Sequence, residues 1–292
     1  ANFKLEQDLY TANGNTGNSG AGGGVANSSG FNRTSLVGVS GAFGTVNFGR
    51  DYNPVFKVIG ATDINGLSRV STVQLAANTG GSTQPNLVFY SSPVLSGFQV
   101  NVAYGNSDTT NSTNTGDTTT KVMDITGTYT NGPLYVAIGT GSTEGRAAGA
   151  NATTFNVFGA GTGAGFGTTA GDKMAGNVVA GSYDFKVVKL VGNYVTAKTT
   201  DAAGVTYEAT ELNVGVTAPL GKVLLKGQVG TNKLKVSSQA EDYTGNDYVL
   251  GADYALSAKT ALFVTTGVYG KLSGNGYDQK STSSAIGVKT VF

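Results

Sequence analysis

The sequence predicts an all-β protein whose architecture is a transmembrane, antiparallel, up-and-down β-barrel. Apolar and polar residues alternate with a period of two in about fourteen segments along the chain. The 292 residues include 45 glycines, which disfavour long helices and favour turns and close strand packing. Short and long connections between the segments take turns, as expected when successive connections lie on opposite rims of a barrel.

The alternating segments follow one another from the first residue to the last. Most are close to the ~10 residues of a tilted membrane strand. The final segment ends in Ala285 to Phe292, and a soluble sheet would leave such an apolar edge open to aggregation, whereas barrel closure pairs it. The predicted strands are residues 1–12, 31–41, 45–52, 86–92, 98–106, 120–130, 134–143, 173–184, 186–199, 206–219, 222–236, 246–257, 260–272 and 282–292.

The connections differ in composition as well as in length. Short connections carry Gly, Pro, Asn or Ser, as expected of tight hairpins, and they are 41–44, 93–97, 131–133, 219–221 and 257–259. The long connections are 13–30, 53–85, 107–119, 144–172, 200–205, 237–245 and 273–281. All of them fit one barrel domain that spans residues 1–292.

Individual strands separate into a polar and an apolar face. In 222–236 one parity contains Lys222, Lys226 and Gln228, and the other contains Leu225 and Val229. A wet lumen on the first face and lipid on the second explain this difference. The alternation by itself also allows a soluble sandwich whose apolar face packs against a second sheet.

Composition excludes several functional classes. Cysteine and histidine are absent, which removes disulfides, thiolate and imidazole metal sites and the Ser-His-Asp and Cys-His mechanisms. The net charge of +1 lacks the basic excess of a nucleic-acid-binding protein. The apolar runs are much shorter than the ~20 residues of a membrane helix. The sequence therefore predicts no enzyme, no metal, no cofactor and no nucleic-acid partner.

Five blocks of sequence carry a resemblance to a known family. Residues 43–50, 86–93, 96–100, 129–134 and 250–257 are similar to the general diffusion porins of β-proteobacterial outer membranes. The resemblance implies a homotrimer of 16-stranded barrels in the outer membrane, in contact with its lipid and lipopolysaccharide. Each barrel would be an aqueous pore narrowed by its third extracellular loop.

One departure from the family concerns the first strand. Family members begin with two more strands, and Ala1 to Tyr10 resembles their third. We therefore expect that this chain lacks two N-terminal strands of the family. Together with the fourteen strands that the sequence shows, they would make sixteen. A complete chain would instead form a barrel of fourteen strands, an even number that also closes.

The resemblance also implies where the pore is narrowest. The long connection 53–85 begins where the family's inward loop begins, and its apolar content suits packing against an interior wall. A loop that caps the mouth of the barrel or latches a neighbouring subunit would have the same apolar content. Arg50 and Lys121 match basic wall residues of the family. The loop charges available to meet them are Asp51, Asp63 and Arg69. The alternation argues against part of this assignment. Arg50 has the same strand parity as the apolar Phe48, and Lys121 has that of Met123 and Ile125, so both would point to lipid in regular strands. A bulge at Gly49 would turn Arg50 inward, and Lys121 lies near a rim of the barrel. By parity, Lys189, Lys222 and Lys226 line the lumen.

The function expected on these grounds is passive diffusion of small hydrophilic solutes and ions with a mild anion preference. Phe292 is expected to act as the signal for outer-membrane assembly. The alternative is a β-rich surface adhesin or binding protein without channel activity, which would explain the Asn, Ser and Thr of the loops. It would not explain why short and long connections take turns.

Overall fold

The computed structural model describes residues 1–7, 31, 33–68, 70–73, 83–109, 118–144, 153–156, 165–168, 173–200, 204–274 and 277–291. Fourteen strands form one antiparallel sheet in which each strand pairs with its neighbours in the chain. These strands are β1 (Asn2–Glu6), β2 (Thr34–Gly41), β3 (Gly44–Tyr52), β4 (Thr83–Ser91), β5 (Phe98–Thr109), β6 (Thr118–Asn131), β7 (Leu134–Glu144), β10 (Lys173–Asp184), β11 (Lys189–Thr200), β12 (Thr206–Leu220), β13 (Val223–Val236), β14 (Tyr243–Ala255), β15 (Thr260–Gly274) and β16 (Tyr277–Thr290). A separate hairpin pairs β8 (Thr153–Asn156) with β9 (Gly165–Thr168).

The predicted all-β, up-and-down architecture is confirmed, and each of the fourteen predicted segments overlaps one strand of the main sheet. Short turns join the strands on one rim. Gly97 shows why glycine is needed there, because its φ is +90° and a Cβ would lie 2.4 Å from the Thr130 carbonyl oxygen. The turn between β12 and β13 likewise contains Gly221 at φ +60°.

The two faces of the sheet differ as alternation predicted. In β13 the side chains of Lys226, Gln228 and Asn232 are buried, whereas Leu225 and Val229 are exposed. We call the first side of the sheet the inner face and the second the outer face. The outer face exposes large apolar side chains, of which Ile286 in β16 is 85% exposed. A surface of this kind suits contact with lipid rather than water.

Contacts made by residues 53–73 demonstrate that the sheet curves. Lys57 bonds to Asp51 of β3, and Asn65 lines a cavity together with Lys289 of β16. In a flat sheet these two strands would lie about 53 Å apart, because eleven strand spacings separate them. The eight Cα-to-Cα steps from residue 57 to residue 65 span at most about 28 Å even when extended. The inner face must therefore be concave.

The edges of the sheet are β1 and β16. In the part of the chain that the structure describes, no ladder pairs these two strands with each other. The described strands therefore form an open, strongly curved sheet.

One helix interrupts the β architecture, and sequence analysis did not predict it. Helix α1 (Pro54–Ala61) has proline in its first turn, a position that suits proline because the missing N–H has no helical partner there. Its buried Val55, Val58 and Ile59 pack on the inner face at β6, β7 and β10. Within the described ranges, no helix is long and apolar enough to cross a membrane.

Candidate functional site

The N-terminus of α1 is capped by the sheet rather than by its own sequence. Asn53 occupies the N-cap position, but its side chain makes no capping hydrogen bond. Instead, the buried Asp124 of β6 accepts a 2.8 Å hydrogen bond from the Val55 N–H. A carboxylate also suits this end of a helix because unpaired N–H groups make it electropositive. Asp124 thus fixes the start of the helix to the inner face.

The segment after α1 crosses the inner face and is held by hydrogen bonds to three further strands. Asn193 Nδ2 of β11 donates to Thr62 Oγ1 at 3.1 Å. The Ile64 N–H donates to Gln228 Oε1 of β13 at 3.2 Å, and Thr72 Oγ1 donates to Asn213 Oδ1 of β12 at 2.6 Å. The described residues 53–68 and 70–73 therefore lie against the sheet from β6 to β13. We call them the inner segment.

Asp63 organises the turn within the inner segment. Its buried carboxylate accepts hydrogen bonds from the Leu67 N–H and from Ser71 Oγ, the latter at 3.0 Å. Burial raises the pKa of Asp63 above its ordinary value, and these hydrogen bonds partly oppose that rise. The carboxylate closes a local turn and leaves little surface to face a passing solute.

Two lysines on the inner face share one carboxylate. Lys226 Nζ of β13 lies 2.8 Å from Asp253 Oδ1, and Lys289 Nζ of β16 lies 2.9 Å from Asp253 Oδ2. The Lys226 side chain is 2% exposed, whereas that of Lys289 is 50% exposed. With all three groups charged, the cluster has a net charge of +1, and the accessible part of that charge belongs to Lys289.

The lysine cluster faces the inner segment across a narrow space. A cavity of about 110 Å³ separates them. Asn65, Ser68 and Val70 line its segment side, and the wall side is lined by Lys226, Phe263, Thr265, Ala285 and Lys289. The cavity therefore has the side chains of Lys226 and Lys289 on its wall side and the neutral polar side chains of Asn65 and Ser68 on its segment side.

Acids of the inner face are largely covered by partners, whereas Lys57 and Lys289 keep about half of their side-chain surface exposed. Asp51 accepts from Lys57 Nζ at 2.6 Å and from Thr34 Oγ1 at 3.1 Å. Asp247 accepts from Asn232 Nδ2 and the Gly270 N–H, and Glu211 accepts from Asn213 Nδ2. All three acids are buried, whereas the Lys57 side chain is 51% exposed. Among the residues that the structure describes, no three His, Cys, Asp or Glu side chains are grouped to hold a metal ion.

The predicted loop and wall charges occupy different faces. Asp51 and Asp63 lie with the inner segment and are buried. Arg50 pairs in register with the outward-facing Ser35 and donates to Thr83 Oγ1 at 3.0 Å. Lys121 is exposed, opposite Glu144, on the face that also exposes Met123. The role of Arg50 and Lys121 at the constriction stays a prediction.

The three lysines predicted to line the lumen also differ in position. Lys226 lies in the inner cluster, whereas Lys189 and Lys222 are exposed beside short turns. Arg69 and Phe292 lie outside the described residues. Sequence reasoning missed Lys289 and Lys57 as site residues. The sequence could have indicated that Lys289 lies on the inner face. Lys289 has the same strand parity as the inward Ala285, whereas the exposed Ile286 and Val288 have the other parity.

Comparisons with known proteins agree with this geometry. A family model described as Gram-negative porin matches residues 1–274. Outer membrane porin protein 32 of Delftia acidovorans is 27% identical over 274 residues, which are 90% of this chain and 68% of the relative. An outer membrane porin protein of Bordetella pertussis is 28% identical over 264 residues, which are 85% of this chain and 58% of the relative.

A solved structure supports the fold independently. The anion-selective porin from Comamonas acidovorans superposes with a TM-score of 0.76 at 20% identity, covering 99% of this chain and 84% of that one. These matches confirm the predicted resemblance and give no support to the adhesin alternative. The family match, which extends over most of the chain, assigns the protein: it belongs to the Gram-negative porins, the β-barrel channels of the outer membrane.

Proposed function

We propose that this porin is a water-filled channel for passive diffusion of small hydrophilic solutes and ions, with a mild preference for anions, and that residues 53–85 constrict it. The observation that carries the proposal is the lysine cluster, which faces the inner segment across a cavity with a volume of about 110 Å³. The anion-selective porin with a similar fold is a second support. No catalytic step is part of the mechanism, and the relatives are named as porins.

The preference for anions follows from which charges meet water. Inner acids such as Asp247 and Glu211 are buried and hydrogen-bonded, whereas the Lys289 ammonium is half-exposed beside the passage. A unit charge about 5 Å from an ammonium in water gains roughly 0.8 kcal/mol, and salt screens this attraction. One accessible lysine therefore favours anions only a few-fold.

The predicted site residues that the structure describes each have a part in this proposal. Asp51 and Asp63 hold the inner segment in place, and Lys226 keeps Asp253 neutralised. Lys189 and Lys222 add positive charge at the rim of the short turns. Arg50 and Lys121 remain candidates for the constriction.

Lys289→Met tests the proposal because it leaves a neutral Lys226–Asp253 pair behind. We expect the anion-to-cation permeability ratio, measured from the reversal potential of purified protein in a planar bilayer under a KCl gradient, to fall about two- to fourfold. Lys222→Met removes the same charge from an exposed turn and should change the ratio less. An unchanged ratio in Lys289→Met would contradict the assignment of the filter.

The homotrimer implied by the family resemblance belongs to the same proposal. Its support is the apolar outer face, which offers surface for both lipid and neighbouring subunits. The mass of the detergent-solubilised particle, measured by light scattering with the detergent contribution subtracted, would distinguish three chains from one.

A further inference from the structure

A second cavity lies on the inner face, away from the lysine cluster. Its volume is about 350 Å³, and it lies between α1 and strands β3 to β7, on the side of the short turns. The residues that give it its chemistry are Phe89, Gln99, Asn101, Thr126, Thr128 and Tyr135. The proposed mechanism of charge selection does not use this space.

The lining combines neutral hydrogen-bonding groups with aromatic rings. Asn101 and Thr126 supply an amide and a hydroxyl from the neighbouring strands β5 and β6. Gln99 and Thr128 add polar groups whose donors already bond within the wall, since Gln99 Nε2 donates to the Ser92 carbonyl oxygen at 3.1 Å and Thr128 Oγ1 donates to the Gln99 carbonyl oxygen at 3.4 Å. Phe89 and Tyr135 supply ring surface. The charged residues at the cavity are Asp51 and Lys57, which pair at 2.6 Å and cancel one another. A neutral ligand therefore fits the site better than an anion.

Thr126 gives a second, independent sign that the cavity receives a ligand. The residue is 1% exposed and lines the cavity, yet its hydroxyl has no hydrogen-bond partner among the residues that the structure describes. A buried hydroxyl without a partner loses the hydrogen bonds that it makes in water. The hydroxyl is enclosed in this structure, so a solute hydroxyl restores one of these bonds when a lining side chain moves aside.

We propose that this cavity is a subsite for a neutral, polyhydroxylated solute of monosaccharide size. Such a solute presents many hydroxyls to the amides and threonines, and its C–H faces pack against aromatic rings. The volume lies at the lower end of the range for small-molecule pockets. The inference rests on the proposed function, because solute in the pore reaches the site, and it adds saturable binding to simple diffusion.

The test uses D-glucose as the probe and Thr126→Val as the principal variant. Valine has nearly the shape of threonine, and the hydroxyl that it removes has no described partner, so the fold should tolerate the change. Asn101→Leu removes a second polar group from the cavity. Thr199→Val is the matched control, since Thr199 is 2% exposed on the inner face of β11, away from the cavity.

Binding is measured in two ways on the full chain. In a planar bilayer, glucose that binds inside the channel reduces the ion current saturably and adds current noise. An ethylene glycol oligomer of similar mass, which has few hydrogen-bond donors, controls for crowding of the pore. Saturation-transfer NMR of glucose with the detergent-solubilised porin detects binding without any need for conductance.

We expect saturable glucose binding by both methods, weakened about two- to tenfold in Thr126→Val and in Asn101→Leu and unchanged in Thr199→Val. A current that falls linearly with glucose, as with the glycol oligomer, together with no saturation transfer, would overturn the subsite while leaving the channel intact. Wild-type affinity in both cavity variants would overturn it as well. Glucose binding by NMR without any conductance would support the subsite and defeat the proposed channel.

Discussion

At the scale of single residues, the acids and lysines of the inner face have different tasks. Asp124 accepts a hydrogen bond from the Val55 N–H, and Asp247 accepts one from the Gly270 N–H, so these two acids hold backbone groups on the inner face. Lys57 and Lys289 each pair with an acid but keep half of their side-chain surface exposed. The acids therefore act mainly in structure. The charge of Lys57 is cancelled by Asp51, so the exposed Lys289 of the +1 cluster sets the potential that a solute meets.

Asp63 makes the stability of the inner segment depend on pH. Burial raises its pKa above the ordinary aspartate value, so the folded chain binds a proton over a range in which the unfolded chain does not. Linkage then requires that this contribution to stability is greatest at low pH and is lost as pH rises through the raised pKa. Relative to Asp63→Asn, which does not ionise, the wild type should lose stability from about pH 4 upward.

The measurement is the thermal unfolding midpoint of both proteins in detergent, followed by circular dichroism between about pH 4 and 8. The difference between wild type and Asp63→Asn should shrink or change sign as pH rises. Asp242→Asn controls for the loss of a negative charge from a solvent-accessible ion pair, because Asp242 Oδ2 lies on a long connection, 2.7 Å from Lys233 Nζ. A difference that stays constant across this range would show that Asp63 does not titrate in the folded protein.

The sequence predicted on which face of the sheet a side chain lies only in regular strands, where odd and even positions face opposite sides. Lys226 falls on the polar parity of a regular strand, and the structure places it on the inner face. Parity also gave the warning that Arg50 and Lys121 face outward, against the family pattern. The pairing of Lys226 and Lys289 through Asp253 was not predictable, because it depends on the registers of three strands and on side-chain reach.

At the scale of elements, α1 is the part that positions the site. The helix has only eight residues, and an isolated helix of that length is unstable in water. Burial of Val55, Val58 and Ile59 and the cap from Asp124 therefore supply most of its stability. Sequence analysis predicted the apolar character of residues 55–59 but not the helix, since so short an apolar run fits strand, loop and helix equally.

Asp124→Ala should loosen the inner segment. The substitution leaves the buried Val55 N–H without its acceptor, which costs about 1–3 kcal/mol. We expect more frequent current fluctuations in single-channel recordings, because the start of the helix is no longer fixed to β6.

Asp184→Ala is the matched control for this change. Its carboxylate also accepts a backbone hydrogen bond, from the Lys186 N–H at 2.7 Å, but in an exposed turn away from the inner segment. Its recordings should match those of the wild type. Quiet, wild-type channels in Asp124→Ala would show that other contacts alone hold the segment.

At the scale of the whole molecule, one physical pattern accounts for how well the fold was predicted. A wall between lipid and water must alternate at every second residue, and this alternation located all fourteen strands of the main sheet. The same rule failed for β8 and β9, which lie within the Gly-, Ala- and Thr-rich connection 144–172. The contacts between the inner segment and strands distant in sequence were outside the reach of periodicity as well.

The apolar outer face gives the whole molecule its environment. Leu250 is 66% exposed and Ile286 is 85% exposed, and neighbouring strands contribute similar side chains. A continuous surface of this kind promotes aggregation in water but suits a bilayer. The inner face, with its buried amides, acids and lysines, is the polar counterpart that an aqueous path requires.

The central claim is that this chain is an anion-preferring pore, and the most direct test is conductance of the wild-type protein in a planar bilayer under a KCl gradient. The account predicts discrete conductance steps, grouped in threes if the trimer forms, with a reversal potential on the anion side. A reversal potential on the cation side would contradict the role of the lysine cluster. Folded, membrane-inserted protein that gives no steps would contradict the channel itself.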